Sequence, residues 1–332
     1  MKAAIFGAGF IAEFHALGYS QAQDAALCAV CDIDEEKARA LADRYGCAWY
    51  TDAAALLREQ QPELVSICLP THLHREYACM ALEAGAHVLC EKPFALTMED
   101  CLAMQEAAKK AGRMLMVAQV LRWWPEYTAI ADQIRRLGTP QYLRARRLQH
   151  PARESWHMQR DLGGGALFDL FVHDVDFILS LMGTQAQVAA ASGCRGKGDS
   201  WRQVSAMLRF ENGACAQIQA CSQMPAGYPF TAEFSAQYED AAIDYRFCTA
   251  VNIERGAKAD TTFLLYDKGA ITPLPQAHNA QEAAFIAQVD AFVRGVKTGV
   301  SPLPIEESID VMRVIHAIRE TLEAQEKVKH EN

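Results

Sequence analysis

Over its first 120 residues the chain alternates two patterns, and the alternation restricts which folds it can adopt. Short apolar runs at 3–7, 26–32, 64–70, 87–93 and 114–119 read as strands buried on both faces, as in a parallel sheet. Helical stretches lie between them. The first, 33–46, has acids in its first turn and ends on Gly46; 72–85 ends on Gly85; 97–112 opens on Thr97 and ends on Gly112. Strands alternating with helices predict right-handed crossovers and a doubly wound α/β sheet.

Beyond residue 120 the pattern changes. Segments 204–210 and 214–220 alternate around Glu211-Asn212-Gly213, which predicts a hairpin. Segments 142–150, 230–238 and 242–247 read as further strands with one wet face, and helical stretches span 281–298 and 305–328. The expectation is an α+β second domain with an open, mainly antiparallel sheet. A length of 332 residues fits two domains. We place them at 1–120 and 121–332, with the last helix packing back on the first.

A net charge of −9 argues against a general nucleic-acid binder, which needs a basic face for phosphates. No apolar run is long enough for a membrane helix. The opening MKAAIFGAGFIAE carries too brief an apolar run for a signal peptide, so a cytoplasmic location is expected. Eleven cysteines, an odd number scattered singly, read as free thiols of a reducing compartment. Cys28 and Cys31 have Cys-x-x-Cys spacing, but on a strand they face opposite ways and cannot share a metal.

The loop Gly7-Ala8-Gly9-Phe10-Ile11-Ala12 follows the first strand and opens a helix. Gly7 permits a tight turn, Gly9 lets a pyrophosphate approach the backbone, and Ala12 allows close helix–strand packing. The helix N-terminus offers N–H groups to phosphate. Asp32 ends the next strand, where a carboxylate accepts hydrogen bonds from ribose hydroxyls and repels a 2′-phosphate. No Arg stands at 33 or 34, so NAD is expected over NADP, in a Rossmann domain.

Glu91-Lys92-Pro93 ends the run 87–93, at the strand edge where open α/β sheets bind ligands. The proline restricts Lys92 to extended backbone and permits a cis bond. With these residues the chain resembles the Gfo/Idh/MocA oxidoreductases over nearly its whole length. Gly7 to Ala12 with His15 is similar to the family's opening motif, Pro70-Thr71-His72-Leu73-His74 to its cofactor-lining loop, and Glu91-Lys92-Pro93 to its hallmark. Arg122, Pro125 and Tyr127 resemble the segment entering its second domain; Gly163-Gly164-Gly165 with Asp169 and His173 resembles its catalytic helix. The resemblance implies NAD(P)-dependent hydride transfer on sugars, cyclitols or related polyols. It implies cofactor contacts from the loop 7–12, Asp32, Pro70, Thr71, His74, Glu91 and Lys92. It implies substrate contacts from Lys92, Arg122, Tyr127, Trp156, Asp169 and His173. Phe171 departs from the family's small residue two before the histidine, which leaves the pocket shape open.

The stretch 163–183 reads as one apolar helix with four acid or imidazole groups embedded. Asp169, His173 and Asp176 recur at four and three and share a face, while Asp174 points elsewhere. Such groups among Leu, Phe and Val are paired or used. They form either a satisfied core pair or an imidazole kept basic for proton transfer.

His72 and His74 provide two of the four ligands zinc needs, so no metal is expected. Arg144, Arg146 and Arg147 with Arg153 read either as the wet face of an edge strand or as a grip on an anionic substrate. Trp123, Trp124, Trp156 and His157 suit either core packing or a sugar face. The combined reading is an NAD-dependent dehydrogenase with Lys92, His173 and Asp169 as catalytic residues. An outer apolar sheet face would pair copies into a homodimer or homotetramer. Two other functions use the same motifs: a redox-neutral NAD-using glycosidase and a non-catalytic dinucleotide sensor.

Overall fold

The computed structural model describes residues 1–150, 156–249 and 259–331. The chain divides into two units, Met1–Trp124 with Gln281–Ile309, and Pro125–Ala280 with Asp310–Asn332. Arg153 lies outside the described residues.

In the first unit β1 (Lys2–Phe6), α1 (Phe10–Gln21), β2 (Ala26–Cys31), α2 (Glu35–Tyr45), β3 (Ala48–Tyr50), α3 (Ala53–Gln60), β4 (Leu64–Ile67), α4 (His74–Glu83), β5 (His87–Glu91), α5 (Met98–Ala111) and β6 (Leu115–Ala118) follow in order. The strands form one parallel sheet in the order β3-β2-β1-β4-β5-β6. The order reverses between β1 and β4, so a crevice opens at the carboxyl ends of those two strands. Local chemistry sets the helix ends. Asp34, Asp52 and Thr97 accept backbone N–H bonds at the starts of α2, α3 and α5. Helix α1 differs: its N-cap is Gly9, and no side chain caps it.

The second unit holds α6 (Pro125–Leu137), β7 (Tyr142–Leu148), α7 (Ala166–Asp169), α8 (Phe171–Met182), β8 (Ala186–Arg195), β9 (Trp201–Phe210), β10 (Cys215–Cys221), β11 (Thr231–Gln237), β12 (Ala241–Thr249), β13 (Ala259–Asp267) and β14 (Ala270–Pro273). Its sheet runs β14-β13-β12-β11-β7-β10-β9-β8, antiparallel except for the parallel pair β7/β10. The outward row on β7 and its neighbours is polar rather than apolar. Arg146 pairs with its cross-strand partner Glu233 at 2.7 Å, and Tyr142 donates to Gln217 at 2.9 Å.

Two helices close the chain, α9 (Ala280–Thr298) and α10 (Ile305–Glu331). The first unit receives α9 and the opening of the last helix, Ile305–Ile309. Val289, Phe292 and Val293 join Ile5, Leu64, Leu89 and Met116 in one buried cluster. Beyond Ile309, α10 belongs to the second unit, where Glu326 takes a bidentate pair from Arg195 of β8. Among the described residues no helix is long and apolar enough to cross a membrane.

Candidate active site

Gly7 adopts φ +96°, a conformation that strains any residue bearing a Cβ. A Cβ there would also overlap the carbonyl oxygen of Cys68. The backbone of Gly7 is pinned from the other side, its N–H donating to Cys31 O at 2.7 Å. The glycine loop is thus wedged between the ends of β2 and β4. At Gly9 an added Cβ would meet nothing within 4 Å, so this backbone faces open space at the uncapped start of α1. Asp32 is tied to the same loop: its Oδ2 accepts the Ala8 N–H at 2.7 Å, and its Oδ1 accepts the Asp34 N–H at 2.9 Å. Ile33 is 89% exposed and Phe10 58% exposed, flanking the loop with apolar surface. Ala12 is fully buried beneath it, and Ile11 is half-buried.

The residues fit a dinucleotide. An uncapped helix start with a positive dipole end suits a pyrophosphate. Each Asp32 oxygen retains a lone pair for a ribose hydroxyl. Thr71, after β4, supports the same fit: it is buried, and its hydroxyl oxygen has no hydrogen-bond partner among the described residues. Pro70 precedes it, half-buried.

His74 has a different place from the expected cofactor contact. It is buried, with Nδ1 3.0 Å from Pro93 O and Nε2 2.9 Å from Leu69 O. The ring therefore clamps the loop after β4 to the loop after β5, and burial pushes its pKa below the ordinary imidazole value. His72 is exposed, so the two imidazoles do not converge.

At the end of β5, Lys92 is half-buried and joined to Pro93 by a cis peptide bond. Glu91 beneath it is buried. Its Oε2 accepts the Lys92 N–H at 3.1 Å, and its Oε1 lies 2.9 Å from His15 Nε2. Glu91 thus engages its own strand end and α1, rather than standing free toward a cofactor. Ser66 of β4 lies 3.0 Å from His15 Nδ1 and 2.9 Å from the Tyr19 hydroxyl. Ser66 and Tyr19 belong to none of the sequence motifs. Their signals were a lone serine inside the apolar run LVSI, and a tyrosine one turn beyond His15.

The second unit carries the other expected catalytic residues. The predicted single helix over 163–183 is two: α7 ends at Asp169, Leu170 intervenes, and α8 begins at Phe171. Gly165 at φ +71° leads in, and a Cβ there would come 2.6 Å from Trp201 O, so the loop packs directly on β9. Asp169 is buried and its N–H donates to Gly165 O at 2.9 Å; His173 is half-buried in the first turn of α8. Trp156 stacks on His157 with ring centroids 3.6 Å apart.

Arg122 and Tyr127 each have partners within their own unit. Arg122 donates to Glu307 at 3.0 Å. Tyr127 is buried in the core, edge-on to Phe177 and Tyr245. The apolar bulk of its ring and the inward face of α6 explain that placement. Arg147 also departs from a wet-face reading. It is buried on the inner side of β7, donating to Asp174 Oδ1 at 2.8 Å and Oδ2 at 3.1 Å, and to the Tyr127 hydroxyl at 3.1 Å. Burial opposes charge on Arg147, and the Asp174 carboxylate more than offsets it, holding the guanidinium pKa above its usual value. The pair fastens the helix of His173 to the sheet.

Comparison with known proteins places the chain in a family. Residues 1–119 match a family described as oxidoreductases with an NAD-binding Rossmann fold, and residues 130–242 match the Gfo/Idh/MocA C-terminal domain. D-glucoside 3-dehydrogenase of Escherichia coli is 36% identical over 193 residues, 56% of this chain. The match spans 55% of that relative, about half its length. D-xylose 1-dehydrogenase (NADP(+)) 2 of Haloferax volcanii is 29% identical over 91% of each chain. The solved structure of levoglucosan dehydrogenase with NADH shares the fold, with a TM-score of 0.80 at 24% identity over 97% of this chain and 96% of that one. Matched by family models in both of its units, the chain belongs to the Gfo/Idh/MocA family of oxidoreductases.

Proposed function

We propose that the protein is an NAD-dependent dehydrogenase that interconverts a secondary alcohol of a sugar or cyclitol with its ketone. One observation carries the reading: the uncapped, glycine-lined start of α1, tied to Asp32, shares a sheet edge with Lys92. Gly7 to Ala12 hold the pyrophosphate, Asp32 the adenosine ribose, and Thr71 a hydroxyl or amide of the cofactor's other half. When bound, the nicotinamide supplies the acceptor for the hydride leaving the alcohol carbon.

His173 takes the hydroxyl proton on an imidazole nitrogen. Asp169, four residues earlier, favours the imidazolium so formed. The Lys92 ammonium stabilises the alkoxide oxygen as charge develops on it. Preference for NAD rests on Asp32 and on Ile33, which offers no cation to a 2′-phosphate; Lys37 is already paired with Asp34 at 2.9 Å. Free thiols at all eleven cysteines support a reducing, cytoplasmic setting. A homodimer or homotetramer is part of the reading, and sedimentation velocity tests it.

The test of function is a panel of pentoses, hexoses and inositols supplied with NAD or NADP, followed by absorbance of the reduced cofactor. Reduction with at least one sugar or cyclitol, faster with NAD, is the expected result. Tight cofactor binding with no reduction across the panel would remove the proposal.

A further inference from the structure

The hydrogen bonds under β5 form one chain across three elements of the first unit. Its members are almost wholly buried: His15 and Ser66 at 0%, Tyr19 at 1% and Glu91 at 5% exposure. The Tyr19 hydroxyl is hydrogen-bonded to Ser66 Oγ at 2.9 Å, and Ser66 Oγ to His15 Nδ1 at 3.0 Å. His15 Nε2–H donates to Glu91 Oε1, and Glu91 Oε2 accepts the Lys92 N–H. Both His15 nitrogens and both Glu91 oxygens have partners within this chain. Packing holds the imidazole in place: Phe285 stacks on Phe14 and tilts against the His15 ring at 6.2 Å.

A buried carboxylate is costly unless donors surround it. Here one oxygen takes its donor from α1, and the other takes it from the backbone of the proposed catalytic lysine. The first link therefore decides how firmly the second is held. We propose that His15 is a positioning residue, which through Glu91 fixes the Lys92 backbone relative to the helix that receives the cofactor. The inference rests on the assignment of Lys92 under the proposed function. Without His15, the carboxylate would turn toward other donors or water, and the strand end carrying Lys92 would loosen while β5 stayed intact.

Two measurements on the full-length protein test this. The first is amide hydrogen exchange in His15→Ala, which needs no substrate. Exchange at Lys92 should rise about tenfold, the scale of weakening one charge-assisted hydrogen bond, while Val88 and Leu89 stay within about twofold. Unchanged exchange at Lys92, or an equal rise along all of β5, would overturn the proposal. The second is a double-mutant cycle with Lys92→Ala, using whichever of D-xylose, D-glucose and myo-inositol reduces NAD fastest. His15→Ala should lower kcat about tenfold in the unmodified background and less than about threefold beside Lys92→Ala, because neighbours acting through one another are not additive. NADH affinity, read by fluorescence titration, should hold within about threefold. An equal cost in both backgrounds would mark His15 as merely structural. If His15→Ala does not fold, His15→Gln keeps an N–H for Glu91 and is run through the same two measurements. Its expected losses are smaller, with the same localisation to Lys92. Should Lys92→Ala retain full turnover, the catalytic assignment fails by itself, and the exchange measurement still decides whether His15 holds Lys92.

Discussion

Replacing Asp174 with leucine strands a guanidinium inside the second unit. Arg147 and Asp174 are paired through two hydrogen bonds at 2.8 and 3.1 Å, with side-chain exposures of 6% and 1%. The remaining donor contact, to Tyr127, is neutral. Removing one partner of such a buried pair costs about 3–5 kcal/mol, because the other charge is left uncompensated. For a unit of this size each kcal/mol moves the midpoint about 2–4 °C, so Asp174→Leu should lower it by about 6–20 °C. Arg147→Met should behave similarly, leaving the Asp174 carboxylate unpaired. The double variant should recover most of the loss, since two apolar side chains of similar volume replace a pair that already paid heavily for desolvation. Thermal unfolding followed by near-ultraviolet circular dichroism, which senses Tyr127, is the assay. Single variants within about 1 kcal/mol of the unmodified protein, or a double variant as unstable as either single, would refute the reasoning.

Gly7→Ala should weaken NADH binding at least about tenfold in a fluorescence titration, through backbone strain and the overlap with Cys68 O. Asp32→Ser combined with Ile33→Arg should reverse cofactor preference toward NADP, measured as the ratio of the two dissociation constants. Lys92→Ala and His173→Ala should each lower turnover about 10²-fold or more, with NADH affinity nearly kept. Burial lowers the pKa of His316 to about 4, with Arg319 adding repulsion. The unfolded histidine, near 6.5, binds its proton first, so stability should fall as pH drops from about 6.5 toward 4. His316→Leu should flatten that part of a midpoint-against-pH curve.

The parallel sheet was legible because its strands are buried on both faces and read as unbroken apolar runs. β3 was missed for the opposite reason: it has three residues, none of them buried. β8 is an edge strand with one buried residue in ten, and it carries almost no alternation to read. The break between α7 and α8 has no punctuation either, since Leu170 keeps right-handed helical angles. Arg147 shows where residue type misled. Leu143, Ala145 and Arg147 share one face of β7, so parity placed the arginine inside while its charge suggested water. Its partner was within view as Asp174, the acid that pointed away from the others. Tyr127 followed a similar course, a motif position whose ring belongs to the core. The cradle at Gly7, Gly9 and Asp32 was legible because each demand, for a turn, a close approach or a carboxylate, selects a residue type. The chain from Tyr19 to Lys92 was not, because it joins residues up to 76 positions apart along single hydrogen bonds.

In the proposed reaction hydride passes directly between a sugar carbon and the nicotinamide. A substrate from the panel, deuterated at the carbon that is oxidised, tests it by mass spectrometry of the reduced cofactor. Deuterium should appear in the cofactor, at a rate that Lys92→Ala lowers about 10²-fold. Reduced cofactor free of deuterium, or transfer that proceeds equally well without Lys92, would contradict it.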